Sequence, residues 1–187
     1  IKGKIDVYEI GHMLAPRINA MGRMAHALDA LRLICTKDKN RALSLAGQLS
    51  MVNRNRQEKT VEATLLALDL VKMEKQTKLI FISHPEFGEG IIGLVAGKLT
   101  EEFNLPSIVI SEGDILSKAS ARSVNGFNIV EMIRKAGDLL EDIGGHPGAS
   151  GFTVATANIQ KLKRKLIDIT QIELKEEHLM KKLKIDA

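Results

Sequence analysis

The sequence predicts an α/β protein in two parts: a helical segment that ends in one long helix, then a small mixed-sheet α/β domain. Two observations carry this. Residues 39–73 contain no proline and a single glycine among strong helix formers, so nothing in the backbone interrupts a helix there. Beyond residue 73, short β-branched runs alternate with helical stretches, the rhythm of strands and helices stacked in layers.

Helices are expected over 7–14 and 24–34, then the long one from 39 to about 73. In it Leu45, Leu49 and Val52 recur at helical spacing, and Leu65, Leu66, Leu68 and Leu70 resume the apolar content. Between them Asn53-Arg54-Asn55-Arg56-Gln57-Glu58-Lys59 is polar all round. Such a helix spans roughly 50 Å, and apolar ends with a solvated middle read as a bridge between packed units. Strands are expected over 79–83, 107–111, 116–124 and 150–155, and helices over 90–103, 129–140 and 158–174. The domain reading is 1–75 for the helical linker region, 76–174 for the α/β domain, and 175–187 for a charged tail or the start of a further segment.

At 187 residues, 44% hydrophobic and 27% charged, the chain suits one ample core with a helical appendage. No apolar run approaches the roughly 20 residues of a membrane span, and no basic-then-apolar leader opens the chain. A single cysteine, Cys35, excludes an internal disulfide framework and a cysteine zinc cluster, which suits a reducing cytoplasm. The first residue is Ile1 rather than Met, as expected of a fragment or a processed chain. The net charge of +4 is unevenly placed: residues 1–60 hold eleven Lys/Arg against five Asp/Glu, the remainder sixteen against eighteen. A basic end points to a partner bearing phosphates, or is simply a soluble basic surface. Aromatics are 3% with no tryptophan, so base stacking is poorly supplied and the phosphate backbone is the expected handle.

The most informative stretch is Gly144-Gly145-His146-Pro147-Gly148-Ala149-Ser150-Gly151. Glycines let a ligand approach the main chain, exposed amides in such a turn make an anion nest, and His146 can donate to a phosphate oxygen. A structural glycine turn with an incidental histidine is the alternative. Gly88-Glu89-Gly90-Ile91-Ile92-Gly93 matches the dinucleotide fingerprint by letter, with Glu112 about 20 residues on. Four residues separate the expected strand from its first glycine, however, and the region is too short for two βαβαβ halves. Gly93 and Gly97 are expected instead to let this helix pack closely on the sheet.

The pattern Gly-Gly-His-x-x-Ala-x-Gly resembles the signature of DHHA1 domains of the DHH phosphoesterase superfamily, with Ser150 where alanine is usual. Pro16-Arg17-Ile18-Asn19-Ala20-Met21-Gly22-Arg23-Met24 resembles the linker motif of RecJ-type single-strand-specific exonucleases. Ala119-Ser120-Ala121-Arg122-Ser123-Val124-Asn125-Gly126-Phe127-Asn128-Ile129 resembles their Arg-Ser strand and following turn. Relatives commonly carry a histidine where this chain has Gly88, with His84 displaced upstream.

The resemblance implies the substrate-gripping part of a 5′–3′ single-stranded DNA exonuclease. Its substrate-binding residues would be Asn19, Arg23, Ser120, Arg122, Ser123, Gly145 and His146, with His146 also a candidate catalytic group. Arg122 would clamp a phosphate with its planar fork, flanked by the hydroxyls of Ser120 and Ser123. Arg54 and Arg56 would track the backbone or merely be solvated. The Mn²⁺ or Mg²⁺ ions of such an enzyme would lie in an upstream DHH domain, since His12, His26, His84, His146 and His178 are not paired with carboxylates at ligand spacing. No cofactor is expected in this chain itself; its partners would be single-stranded DNA and the DHH domain, and not a membrane. Within the superfamily the alternative is an oligoribonuclease or cyclic-dinucleotide phosphodiesterase. Outside it, the alternative is a non-catalytic nucleic-acid-binding or tRNA-editing module.

Overall fold

The computed structural model describes residues 5–75 and 77–180. They fall into two compact units, Ile1–Val61 and Glu62–Ala187.

In the first unit a π-helical segment, Glu9–Leu14, runs directly into α1, Ala15–Met24. Pro16 sits in the first turn of α1, just past the π-helical segment. The linker motif is therefore itself a helix. The helix expected over 24–34 begins later, as α2, Leu28–Cys35. Ala25 leaves helical geometry, and the His26 ring nitrogen Nδ1 accepts the Leu28 amide at 3.2 Å. Asp38 caps α3, Lys39–Met73, accepting the amides of Asn40 and Arg41 at 2.8 and 3.1 Å. Met21, Ala30 and Leu49 form a small core with Ile18, Leu33 and Val52 around it.

The middle of α3 is not the evenly solvated stretch its composition suggests. Asn53 and Thr60 are each only 6% exposed, and Leu49, Asn53, Arg56 and Thr60 share one helical face. The buried stripe of α3 runs through the polar segment rather than stopping at it.

In the second unit the elements are β1 (Ile80–His84), α4 (Ile92–Phe103), β2 (Ser107–Ser111), β3 (Leu116–Arg122), α5 (Ile129–Arg134), β4 (Leu140–His146), β5 (Ala149–Ala155), α6 (Ile159–Glu173) and α7 (Glu176–Leu179). The five strands lie in the order β1-β2-β3-β5-β4, with β1 and β2 parallel and every other pairing antiparallel. The first part of the expected charged tail holds α7; residues 181–187 lie outside the described ones.

A further expectation is corrected. The helix predicted over 129–140 ends at Arg134 and, through a short 3₁₀ turn at Gly137–Leu139, gives way to β4. The Gly-rich stretch is thus no loop: β4 passes through Gly144 and Gly145, and only Pro147-Gly148 turns the hairpin. Gly145 makes this possible. Its φ is +144°, and a Cβ there would lie 2.3 Å from the Ala149 carbonyl oxygen and 2.7 Å from the Ser150 Cα. Only glycine fits.

Strand alternation gives the sheet two unlike faces. One carries Phe81, Ile108, Ile110, Ala119, Ala121, Phe152 and Val154, buried together with α5 and α6 residues such as Met132, Ile133, Leu162 and Leu166. On the other, α4 packs over β2 and β3, burying Ile92, Val95 and Leu99.

Candidate nucleic-acid interface

Register places the candidate residues. Arg122 of β3 pairs with Ala149 of β5, which pairs in turn with His146 of β4. The three form one row across the sheet and so project from one face. Arg122 and His146 stand two strands apart, about 10 Å at the backbone. The next row on that face is Ser120, Gly151 and Gly144. It is the face that α4 covers over β2 and β3.

Gly144, Gly151 and His146 are exposed, so beside α4 the face is an open strip floored by main chain. A Cβ built on Gly144 would meet nothing within 4 Å, and one on Gly151 only the Ala119 carbonyl oxygen at 3.8 Å.

Arg122 lines the α4 side of the strip. Its Nη1 donates to Ser120 Oγ at 3.2 Å and to the Ala121 carbonyl at 2.8 Å. Gly93, in the first turn of α4, lies against it: a Cβ at Gly93 would fall 2.9 Å from Arg122 Nη2 and 3.0 Å from Ser120 Oγ. Of the two glycines expected to allow close packing, Gly93 does so. Gly97 does not, because a methyl there would meet nothing within 4 Å. Ile91 gives α4 no side-chain cap, so the positive end of the helix adds to the guanidinium and favours an anion beside it.

His146 lines the hairpin end. Its Nδ1 accepts the Gly148 amide at 3.2 Å, which in the neutral ring leaves the proton on Nε2, pointing a donor away from the turn. The two motifs are tied together. Ser123 N–H donates to the Gly148 carbonyl at 3.0 Å, and Ile129 N–H to the Pro147 carbonyl at 3.1 Å. The Ser123 hydroxyl donates to the Phe127 carbonyl at 2.6 Å, so its proton orders the Arg-Ser turn.

Asn19 and Arg23 lie exposed on α1, in the first unit. There the Arg56 guanidinium sits below its usual range, through burial first and the neighbouring positive charge of Arg23 second. A groove of about 470 Å³ in this unit includes His12, Arg17, Asn53, Arg54 and Arg56 in its lining. Among the described residues, no three His, Cys, Asp or Glu side chains are placed to hold a metal. Nor is any described helix long and apolar enough to cross a membrane.

Sequence reasoning missed β4 and, on the same open face, the row of Lys118, Thr153 and Asp142. Alternation along β3 carried the signal for Lys118: positions 118, 120 and 122 are all polar, while 119 and 121 are alanine.

A mixed sheet sealed on one face carries an arginine, a histidine and bare main chain on the other, in a small α/β domain. Residues 75–171 match the DHHA1 domain family, and the chain belongs to that family. It is 33% identical over 188 residues to the single-stranded-DNA-specific exonuclease RecJ of Bacillus subtilis, covering 98% of this chain and 24% of that protein. Crystal structures of RecJ from Thermus thermophilus, in complex with Mn²⁺ and with Mg²⁺, superpose with a TM-score of 0.79 at 32% identity. Those matches cover 86% of this chain and 24% and 25% of the respective RecJ chains. The chain thus spans about a quarter of the length of these relatives.

Proposed function

We propose that this chain is the substrate-gripping part of a RecJ-like 5′–3′ single-stranded DNA exonuclease of the cytoplasm. The observation that carries the reading is the shared row and face of Arg122 and His146, on either side of a strip whose floor is Gly144, Gly151 and the small Ala149. Arg122, supported by Ser120 and the first turn of α4, holds one phosphate. His146 donates through Nε2 to a second phosphate oxygen or to the scissile group. Gly145 lets β4 and β5 approach closely enough to present the histidine, and Ser123 orders the turn beside it. Asn19 and Arg23 meet the strand as it leaves the hydrolytic centre. That centre lies in a DHH domain upstream, where bound Mn²⁺ or Mg²⁺ would activate water and stabilise charge on the phosphoryl oxygens.

The test is mutational. In the whole enzyme, Arg122→Ala and His146→Ala should each cut activity on single-stranded DNA roughly ten- to a hundredfold, matching loss of a charge-assisted contact of about 1.5–3 kcal/mol, with little change in Tm. Full activity in both variants would remove the basis of the reading.

A further inference from the structure

We infer that Lys118 is a further phosphate contact, two rows along the strand from Arg122, held ready by Thr153 and Asp142. The inference rests on the reading of the open face as a single-strand track. Along β3, Arg122, Ser120 and Lys118 project from that face at intervals of about 6.8 Å, comparable with the separation of successive phosphates in an extended strand.

Lys118 does not lie loosely on the surface. Its Nζ donates to Thr153 Oγ1 at 2.6 Å, and that hydroxyl donates to Asp142 Oδ2 at 2.7 Å. Thr153 is 2% exposed. The ammonium thus leans away from α4 toward β4, across the end of the strip floored by Gly151 and Gly144. The two glycines lie between this row and the row of Arg122 and His146, so a backbone running from one row to the other meets no side chain on β5 or β4.

Asp142 is a weak permanent partner. Its carboxylate stands 3.7 Å from the ammonium, and the two side chains are 64% and 48% exposed; such pairs contribute little to stability. A phosphodiester arriving along the strip offers the ammonium a charged acceptor in the carboxylate's place. Asp142 then acts as a competitor that keeps Lys118 extended over the track until the strand displaces it.

Two substitutions separate this from a purely structural ion pair, because they shift binding in opposite directions. Fluorescence anisotropy of the 187-residue chain with 5′-phosphorylated oligothymidylates of two and eight nucleotides, across a salt series, reads both. Lys118→Gln should weaken binding of the eight-mer about tenfold and lower the log–log salt slope by about 0.7, one single-strand phosphate contact. It should also shrink the ratio of eight-mer to two-mer affinity, whereas Lys118→Arg should restore both. Asp142→Asn should tighten eight-mer binding about threefold. An unchanged slope in Lys118→Gln, or weakening in Asp142→Asn, would overturn the inference. Arg122→Ala distinguishes the two levels. If it weakens both lengths while Lys118→Gln leaves the slope intact, only the role of Lys118 falls. If Arg122→Ala is without effect at either length, the reading of the whole face falls.

Discussion

The two faces of the sheet are made from the same strands and obey opposite rules. On the sealed face β1, β2 and β5 contribute bulk: Phe81, Ile108, Ile110, Phe152 and Val154 are all at or below 2% exposure. On the open face β5 and β4 contribute Ala149, Gly151 and Gly144, and the chemistry stands at the margins, in Arg122, His146 and Lys118. One side uses its residues to exclude water, and the other keeps main chain accessible. Stability and the proposed recognition are therefore assigned to different faces of this domain.

Substitutions can break or sharpen that separation. The largest effect belongs to the sealed face. Phe152→Ala should cost about 3–5 kcal/mol in chemical denaturation, with nucleic-acid binding reduced only in proportion to the unfolded fraction. A specific binding defect in the folded protein would show that the faces are coupled. On the open face, Gly144→Val should do the reverse. A β-branched residue suits a strand and has room there, so stability should stay within about 0.5 kcal/mol, while a filled strip weakens oligonucleotide binding tenfold or more.

Gly93→Ala tests the seam where α4 meets Arg122. Alanine favours a helix over glycine by up to about 1 kcal/mol, and the new methyl meets the movable end of an arginine and the rotatable hydroxyl of Ser120. Melting should therefore hold or rise slightly while affinity falls a few-fold. Loss of both would mean that the helix, and not only the guanidinium, had shifted.

The smallest effect lies in the helical layer outside the sealed face. The Lys165 ammonium bonds Asp138 and holds its carboxyl below the usual carboxylate range. A lowered folded-state pKa stabilises above the unfolded value and fades as pH falls through the folded one. Asp138→Asn should therefore lose a little stability near neutrality and converge with the parent in acid, with binding unaffected throughout.

How much of this was legible in the sequence differs by element. The long helix could be read to its ends, because an uninterrupted run of helix formers leaves the backbone one inexpensive choice. The strands β1, β2 and β5 were legible from their β-branched and aromatic runs. β4 was not, since Leu140-Glu141-Asp142-Ile143-Gly144-Gly145-His146 has little strand propensity and is held in place by pairing with β5. The candidate residues Arg122 and His146 could be named from their motifs, but not their relation, because a common row depends on a register that no local pattern states. Asn53 misled for a similar reason. Its polarity says solvent, whereas its burial follows from the helical face on which it falls.

The bare floor of the strip has a consequence for how this domain can be dissected. Alanine scanning locates function by deletion, and at Gly144 and Gly151 there is nothing to delete. The same substitution there adds mass, so the usual logic runs backwards and a survey that skips glycines passes over the strip altogether. What the strip offers is close approach and empty space, because strand pairing engages the amides and carbonyls of β5 on both sides. Its preference can be erased by filling it but not retuned by exchanging one functional group for another. On the proposed reading, changes in what this face recognises come from its margins.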